Sequence, residues 1–527
     1  MGRIRRTLLE GVLVVGATTV PGVTGGQAGV DPATSGVSAP GSGAAPVDGA
    51  PVLDLGATPS ASGTSRAGVA CGPEARQVTW TVYAPPCRAA FEGDNGGATA
   101  HGVTADTITI TYRRSDSTQD AAAFAALGSP DFSDESYVAD LQAYIDLFNR
   151  EYELYGRQVE LVPFQGRGDW LSEHQGQNLA AAQADAATAH DLGSFAELSF
   201  LYKATQAYHQ YLARAGVIAI GAPGLPQAFF EQNAPWMYSP WPTGDKLAGW
   251  AANTACTHLV GQPASFAGDE AMRAQTRVFA IITPDTPGYT ASGALMEQGL
   301  ATCDAPVGRR IAYSFNIPTF QTQANSIVAQ LREAGVTTVI CYCDPLMPAF
   351  LSQTAEQQRF APEWMAATLG PTDQLLRYSV PNQWAHAISN QGAFPSRDRS
   401  EAFRVFQLSR PGAEPAEEFY PTAYALALQL FNGLQAAGPN LTPSTFQLGM
   451  FSLPPSDTGE FGTWAYGTGA FTPGVDTQVG WWSTSEISAF DGEPGGWRDC
   501  RDGAFFPYDI ARRDEWGPAG SPLGCFG

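Results

Sequence analysis

The chain has 527 residues, 44% of them hydrophobic, enough length and apolar content for more than one buried core. Its formal charge of −22 excludes nucleic acid as a partner, because phosphate repels so acidic a surface. Past the N-terminus no run approaches the roughly 18 apolar residues of a membrane span, so the chain is not expected to be membrane-spanning.

Taken in chain order, basic residues Arg3, Arg5 and Arg6 precede an apolar stretch over 8–20 and small residues at 26–28. That order reads as an export signal over 1–28, although Glu10 interrupts it and a mis-chosen start codon is the plainer alternative. Residues 29–70 are mostly Gly, Ala, Ser, Pro and Thr, too poor in large apolar side chains to offset ordering entropy, and read as a disordered linker. Cys71 has no apolar run ahead of it, so lipid attachment there is not expected. Residues 71–103 form an irregular extension that carries Cys71 and Cys87 and ends in the turn-rich string 94–98.

A first lobe is expected over 104–235. Strands are predicted at 107–112, 159–162, 192–198 and 217–220, and the loop 113–128 is polar. A helix capped near Ser133 or Asp134 places Tyr137, Leu141, Tyr144, Ile145 and Phe148 on one face. Further helices are predicted at 177–189 and 208–213. A Pro- and Trp-rich crossing with Trp236, Tyr238 and Trp241 leads into a second lobe over 236–379. Its strands are predicted at 277–282, 310–315, 337–343 and 364–367, its helices at 247–259, 291–300, 322–334 and 346–355. The chain is expected to return to the first lobe through 384–389, with the return segment at about 380–450 holding helices at 424–437 and near 445–451. Residues 451–527 read as a terminal strand and wrapping segment.

The same alternation of apolar strand and helix is written twice, so the fold class is α/β: two Rossmann-like lobes, each a parallel sheet covered on both faces, with a cleft between them. Eight cysteines in an exported chain favour disulfides. Cys71 with Cys87 and Cys500 with Cys525 are the local pairs, and a loop of about 16 residues gains ~3 kcal/mol on the chain-entropy model. Cys256, Cys303, Cys341 and Cys343 stay open, the first two able to meet at helix ends. Cys341 and Cys343 have no neighbouring Cys or His cluster, so no metal is expected.

In open parallel sheets ligands bind beyond the carboxyl ends of strands. Applied here, that geometry selects Arg113, Arg114, Ser115 and Asp116; then Ser199, Lys203 and Thr205; then Gly221 and Ala222. In the second lobe it selects Asp285 and Tyr289, Ser314 and Asn316, Asp344, and Thr368. Each competes with a plainer role. Ser199 suits a helix N-terminus facing a carboxylate or serves as an ordinary cap. Asp285 reaches a ligand ammonium or closes a turn. Arg113 and Arg114 hold an anion or belong to a solvated ion cluster with Asp116 and Asp120. Asp344 binds a ligand or caps the next helix. The crossing aromatics plug the hinge or stack on a flat ligand.

The sequence carries no G-x-S-x-G elbow, no H-E-x-x-H motif and no i, i+4 metal-ligand pair among its six histidines. No enzyme activity and no cofactor are expected.

Four stretches carry a family resemblance: 102–108, 144–149 followed by 156–162, 277–289, and Cys343-Asp344-Pro345 with Pro362-Glu363-Trp364. Together they resemble the type I periplasmic (solute-binding) family, the branch similar to leucine/isoleucine/valine- and amide-binding proteins of ABC importers. The extension 71–97 resembles secreted actinobacterial members. The chain departs from the family pattern at 150–155, where a Gly-Gly is usual, and at the unusually polar loop 113–117. The resemblance implies a hinged two-lobe receptor outside the cytoplasm that holds a small-molecule ligand (an amino acid, an amide or a small carboxylate) and hands it to ABC permease subunits. It also implies a ligand-carboxylate contact at Ser199 and an aromatic contact at Tyr289. A ligand-sensing role without transport is the alternative.

Overall fold

The computed structural model describes residues 55–525 apart from 116–117, 127–130, 201–202, 368–372, 394 and 490–491. The expected export signal, the linker up to residue 54, Asp116 and Thr368 lie outside the described residues.

Two sheets organise the molecule. The first is built from β1 (Thr107–Arg114), β2 (Gln158–Gln165), β3 (Ala196–Leu198), β4 (Ile218–Ile220) and β5 (Met237–Tyr238). All five run parallel in the order β2-β1-β3-β4-β5. The second holds β6 (Phe279–Pro284), β7 (Val307–Tyr313), β8 (Thr338–Cys341), β9 (Glu363–Ala366) and β10 (Ile388–Ser389) as a parallel set. After the short β11 (Asp476–Thr477), β12 (Gly480–Ile487) and β13 (Pro494–Asp499) add to that sheet antiparallel, giving the order β13-β12-β10-β9-β8-β6-β7. β11 pairs separately with β14 (Phe506–Pro507).

Side chains of a strand alternate between faces, and a sheet buried on both sides needs apolar residues at every position. In the second sheet Ala280, Ile282, Val339 and Cys341 enter one core while Phe279, Ile281 and Ile340 enter another. In the first, Ile218 and Ile220 face one core and Val217 and Ala219 the other. These unbroken runs are what made the strands legible.

The helix Asp134–Glu151 is capped by Ser133, whose hydroxyl accepts from the Ser136 N–H, and it buries Tyr137, Leu141, Tyr144, Ile145 and Phe148 as its periodicity predicts. Asn149 then ties the helix to β2, its amide bonding the Val159 carbonyl and N–H at 2.9 and 2.8 Å. Arg157 is buried and donates to the carbonyls of Thr104, Pro439 and Asn95 at 2.8, 2.9 and 2.6 Å, stapling the extension to the strand.

Several expectations change. Residues 384–389 do not begin the return: β10 extends the second sheet, and the first core is re-entered by the helices Glu401–Ser409, Tyr420–Ala437 and Pro443–Ser452. The tail does more than wrap, because β12 and β13 complete the second sheet. The polar loop after β1 contains a helix, Thr118–Ala126. Residues 55–70, assigned to the linker, are structured. Ala57 joins the first core and the Ser65 hydroxyl donates to the Gln77 carbonyl at 3.2 Å. Small residues order here by close approach: a Cβ on Gly56 would lie 1.8 Å from the Gln435 carbonyl oxygen. All eight cysteines pair, as Cys71–Cys87, Cys256–Cys303, Cys341–Cys343 and Cys500–Cys525. Trp236 and Trp241 pack on the first core, and Tyr238 is buried in β5 beside Phe446 and Phe471.

The last of these helices starts with a reciprocal cap: the Thr442 hydroxyl accepts from the Thr445 N–H at 3.1 Å and Thr445 Oγ1 accepts from the Thr442 N–H at 2.8 Å. Thr442→Ala is expected to cost about 1 kcal/mol, read as a lower urea midpoint at unchanged slope.

Candidate functional site

Six strand tips converge on one cleft of about 360 Å³. From the first sheet come Trp170, Glu173 and His174 beyond β2, Ala204 to Ala207 beyond β3, and Pro223 to Leu225 beyond β4. From the second come Pro284, Thr286, Pro287 and Tyr289 at β6, Phe315 after β7, and Tyr342 to Pro345 after β8. The walls are chiefly aromatic, aliphatic and proline, and no Lys or Arg lines them among the described residues.

Beneath the first-sheet wall lies a buried ion cluster. Arg113 forks onto Glu173 at 2.6 and 3.1 Å and reaches Asp185 at 3.3 Å, with its guanidinium 3.6 Å from the Tyr208 ring centroid. Burial works against the arginine's charge, but Glu173, Tyr208 and Asp185 outweigh it and hold the guanidinium above its ordinary value. Asp185 also accepts from the Arg167 and Gly168 N–H groups, both at 2.9 Å. Thr205 caps the helix Gln206–Ala215 by accepting from the Tyr208 N–H and donates its own hydroxyl to Glu173 at 2.5 Å. Glu197, buried on β3 next to β1, is pushed up to about 7 by desolvation, although it accepts from the Arg113 N–H at 2.7 Å. Desolvation, with Arg113 second, pushes His209 down to about 3.

Across the cleft, Asp344 accepts from the N–H groups of Leu346 and Met347 at 2.8 and 3.1 Å and from the Tyr313 hydroxyl. Burial raises it to about 6, against those hydrogen bonds. Tyr289 tilts over Tyr342 with ring centroids 5.1 Å apart, and burial, with Asp344 second, pushes its phenol up to about 12. The Thr286 hydroxyl is buried without a hydrogen-bond partner.

Of the residues selected by strand-tip geometry, Thr205, Tyr289 and Asp344 meet in the cleft. Ser115 lies outside it, its N–H donating to Asp134 at 2.8 Å and its hydroxyl to Asp120. Ser199 is buried behind the wall: its N–H completes the β3–β4 pairing and its hydroxyl has no partner. The helix cap that it was to supply belongs to Thr205. Gly221, at a φ of 141°, is held against the Ser199 carbonyl, where a Cβ would come within 2.4 Å, and Ala222 is core. Asp285 and Ser314 are exposed away from the cleft. Arg113 is only 4% exposed and forms no solvated cluster. Lys203 pairs with buried Asp134.

Trp170, Glu173 and His174, on the short helix Trp170–His174 that follows β2, also line the cleft and are not among the residues that the tips of β1, β3 and β4 select. A Trp beside acidic residues in a strand-to-helix connection was the available signal.

A family model described as periplasmic binding protein matches residues 125–476. Among solved structures, the chain is similar to a fatty acid ABC transporter substrate-binding protein from Thermomonospora curvata, at 14% identity and a TM-score of 0.54, covering 82% of this chain and 100% of that one. It is similar to the solute-binding protein of an ABC transporter from R. palustris in complex with 4-hydroxybenzoate, at 13% identity and a TM-score of 0.52 over 75% of this chain and 98% of that one. A type 1 periplasmic binding protein from Bordetella pertussis Tohama I gives 13% identity and a TM-score of 0.52 over 75% and 100%. At such identities the likeness is one of fold. No curated protein matches the chain.

Proposed function

The chain belongs to the periplasmic binding protein family, and from that premise we propose that it is the extracytoplasmic receptor of an ABC importer. It captures a small molecule between its two lobes by hinge closure and presents it to permease subunits. The observation that carries this reading is the convergence of strand tips from both sheets on one cleft. An occupant touching both walls favours the closed arrangement by its differential affinity for it. Thr205, Tyr289 and Asp344, joined by Trp170, Glu173 and Phe315, are the proposed contacts. The apolar walls suit a ligand with an apolar body, as do the ligand classes named for the two ABC neighbours.

The test is a thermal-shift screen of the full chain over amino acids, amides, carboxylates, amines and small aromatics. A ligand at a hundred times its Kd is expected to add about 2.7 kcal/mol of stability. A library that leaves the melting temperature unmoved, while a chromogenic ester or glycoside is turned over, would end the receptor reading. Tyr289→Ala is expected to weaken binding about tenfold, roughly 1.4 kcal/mol. Calorimetric titration reads the affinity, and the unliganded melting temperature shows that the variant still folds.

A further inference from the structure

We propose that the Cys341–Cys343 disulfide is a redox switch on lobe closure. Oxidised, it bends the end of β8 so that Tyr342 latches onto the other lobe; reduced, it frees that latch. The proposal rests on the hinged two-lobe reading and names how the same cleft is regulated.

The bridge sits where a staple of the fold gains least. The chain-entropy benefit of a disulfide grows with the loop that it closes. The other three bridges join cysteines 16, 47 and 25 residues apart, whereas Cys341 and Cys343 are separated by 2. What this bridge constrains is the local backbone. Two residues along an extended strand lie roughly 6.6 Å apart, and here the Cα atoms are 5.1 Å apart. Cys341 still pairs within the sheet, opposite Ile282 of β6 and Ala366 of β9, and β8 ends at that residue. The bridge holds the chain bent at Tyr342 just as the strand stops.

From that bend Tyr342 reaches across the cleft. Its hydroxyl donates to the carbonyl of Gly224, which lies in the loop after β4 of the first sheet. Its own N–H is fixed by the Ile282 carbonyl at 3.0 Å, and its ring rests on Tyr289. The latch therefore joins the tip of a second-sheet strand to the tip of a first-sheet strand. Releasing the bend takes the phenol from its place against Gly224.

The bridge also faces the space that the latch closes. Cys343 lines the cleft, yet with the latch made Cys343 and Cys341 are only 2% and 1% exposed. A reductant reaches them when the lobes part. A dithiol supplies the two electrons. One of its thiolates attacks Cys343 Sγ, and the S–S bond breaks with its electron pair on Cys341 Sγ, which takes up a proton. The second thiolate of the reductant then displaces Cys343 Sγ, which is protonated in turn, and closes the reductant's own disulfide. Closure protects the bridge and the bridge favours closure, because coupling between two events is reciprocal.

The test uses the full chain without ligand and dithiothreitol as the reductant. Differential alkylation read by mass spectrometry follows the peptide that holds Cys341 and Cys343 separately from the other three bridges. Tyr342→Phe is expected to speed reduction of this bridge about fivefold, the shift that loss of one hydrogen bond gives to an open–closed equilibrium. Cys341→Ser with Cys343→Ser is expected to raise the radius of gyration in X-ray scattering, as Tyr342→Phe does. Circular dichroism shows that both variants fold, and if the double variant does not, the reduction rates decide alone. A bridge reduced equally fast in the parent and Tyr342→Phe, or a folded double variant with the parent's radius of gyration, overturns the proposal. The receptor reading is judged separately, by the thermal-shift screen.

Discussion

Glu363→Ala is expected to destabilise the protein by about 3–5 kcal/mol, because it strands a buried arginine. Glu363 on β9 and Arg277 just ahead of β6 pair at 2.7 and 2.8 Å, with side chains 1% and 2% exposed. The carboxylate also accepts from the Thr338 hydroxyl at 2.7 Å and the Phe266 N–H at 2.9 Å, so its removal leaves further donors unpaired. Replacing both partners by apolar residues, Arg277→Met with Glu363→Leu, should recover most of the loss, since desolvating the pair offsets much of its attraction. Urea unfolding followed by tryptophan fluorescence reads both, as Trp364 is the adjacent residue and lies in the same core. A single variant within about 1 kcal/mol of the parent would show that the pair carries no such strain.

Arg113→Met should cost about the same, roughly 3–5 kcal/mol, in the other lobe. It leaves Glu173 and Asp185 buried without their counter-ion and removes the cation from the Tyr208 ring. Arg113→Lys should recover only part of this, because one ammonium cannot reproduce a fork that meets both oxygens of Glu173. The same variant frees Glu173, a cleft-wall residue, so binding should weaken along with stability. Full stability in Arg113→Met would overturn the reading of Arg113 as the counter-ion that these two carboxylates require.

These two pairs mark where sequence reading stops. Continuous apolar runs such as 217–220 and 279–282 announce strands because a sheet covered on both faces leaves no polar position. Helical spacing from Tyr137 to Phe148 does the same for the helix. Arg113 gave no such sign. Its partners lie 60 and 72 residues away, and a charge beside charges reads as solvated until the fold brings a counter-ion to it. β10 has two residues, too few for any periodicity, yet it decides where the chain leaves the second sheet. In the cleft, strand-tip geometry selects Thr205, Tyr289 and Asp344 but says nothing of which tips bend inward. The β2 connection does so through Trp170, while Asp285 and Ser314 turn out to solvent.

The chain order of the strands has a consequence for synthesis. The inner strands of the second sheet are made by residue 389, but its outer pair, β12 and β13, ends at residue 499. The first sheet is made by residue 238, while the helices that cover one of its faces come after residue 400. Neither half can close its core until residues beyond 450 have been made, so a growing chain keeps apolar faces of both sheets open through most of its synthesis.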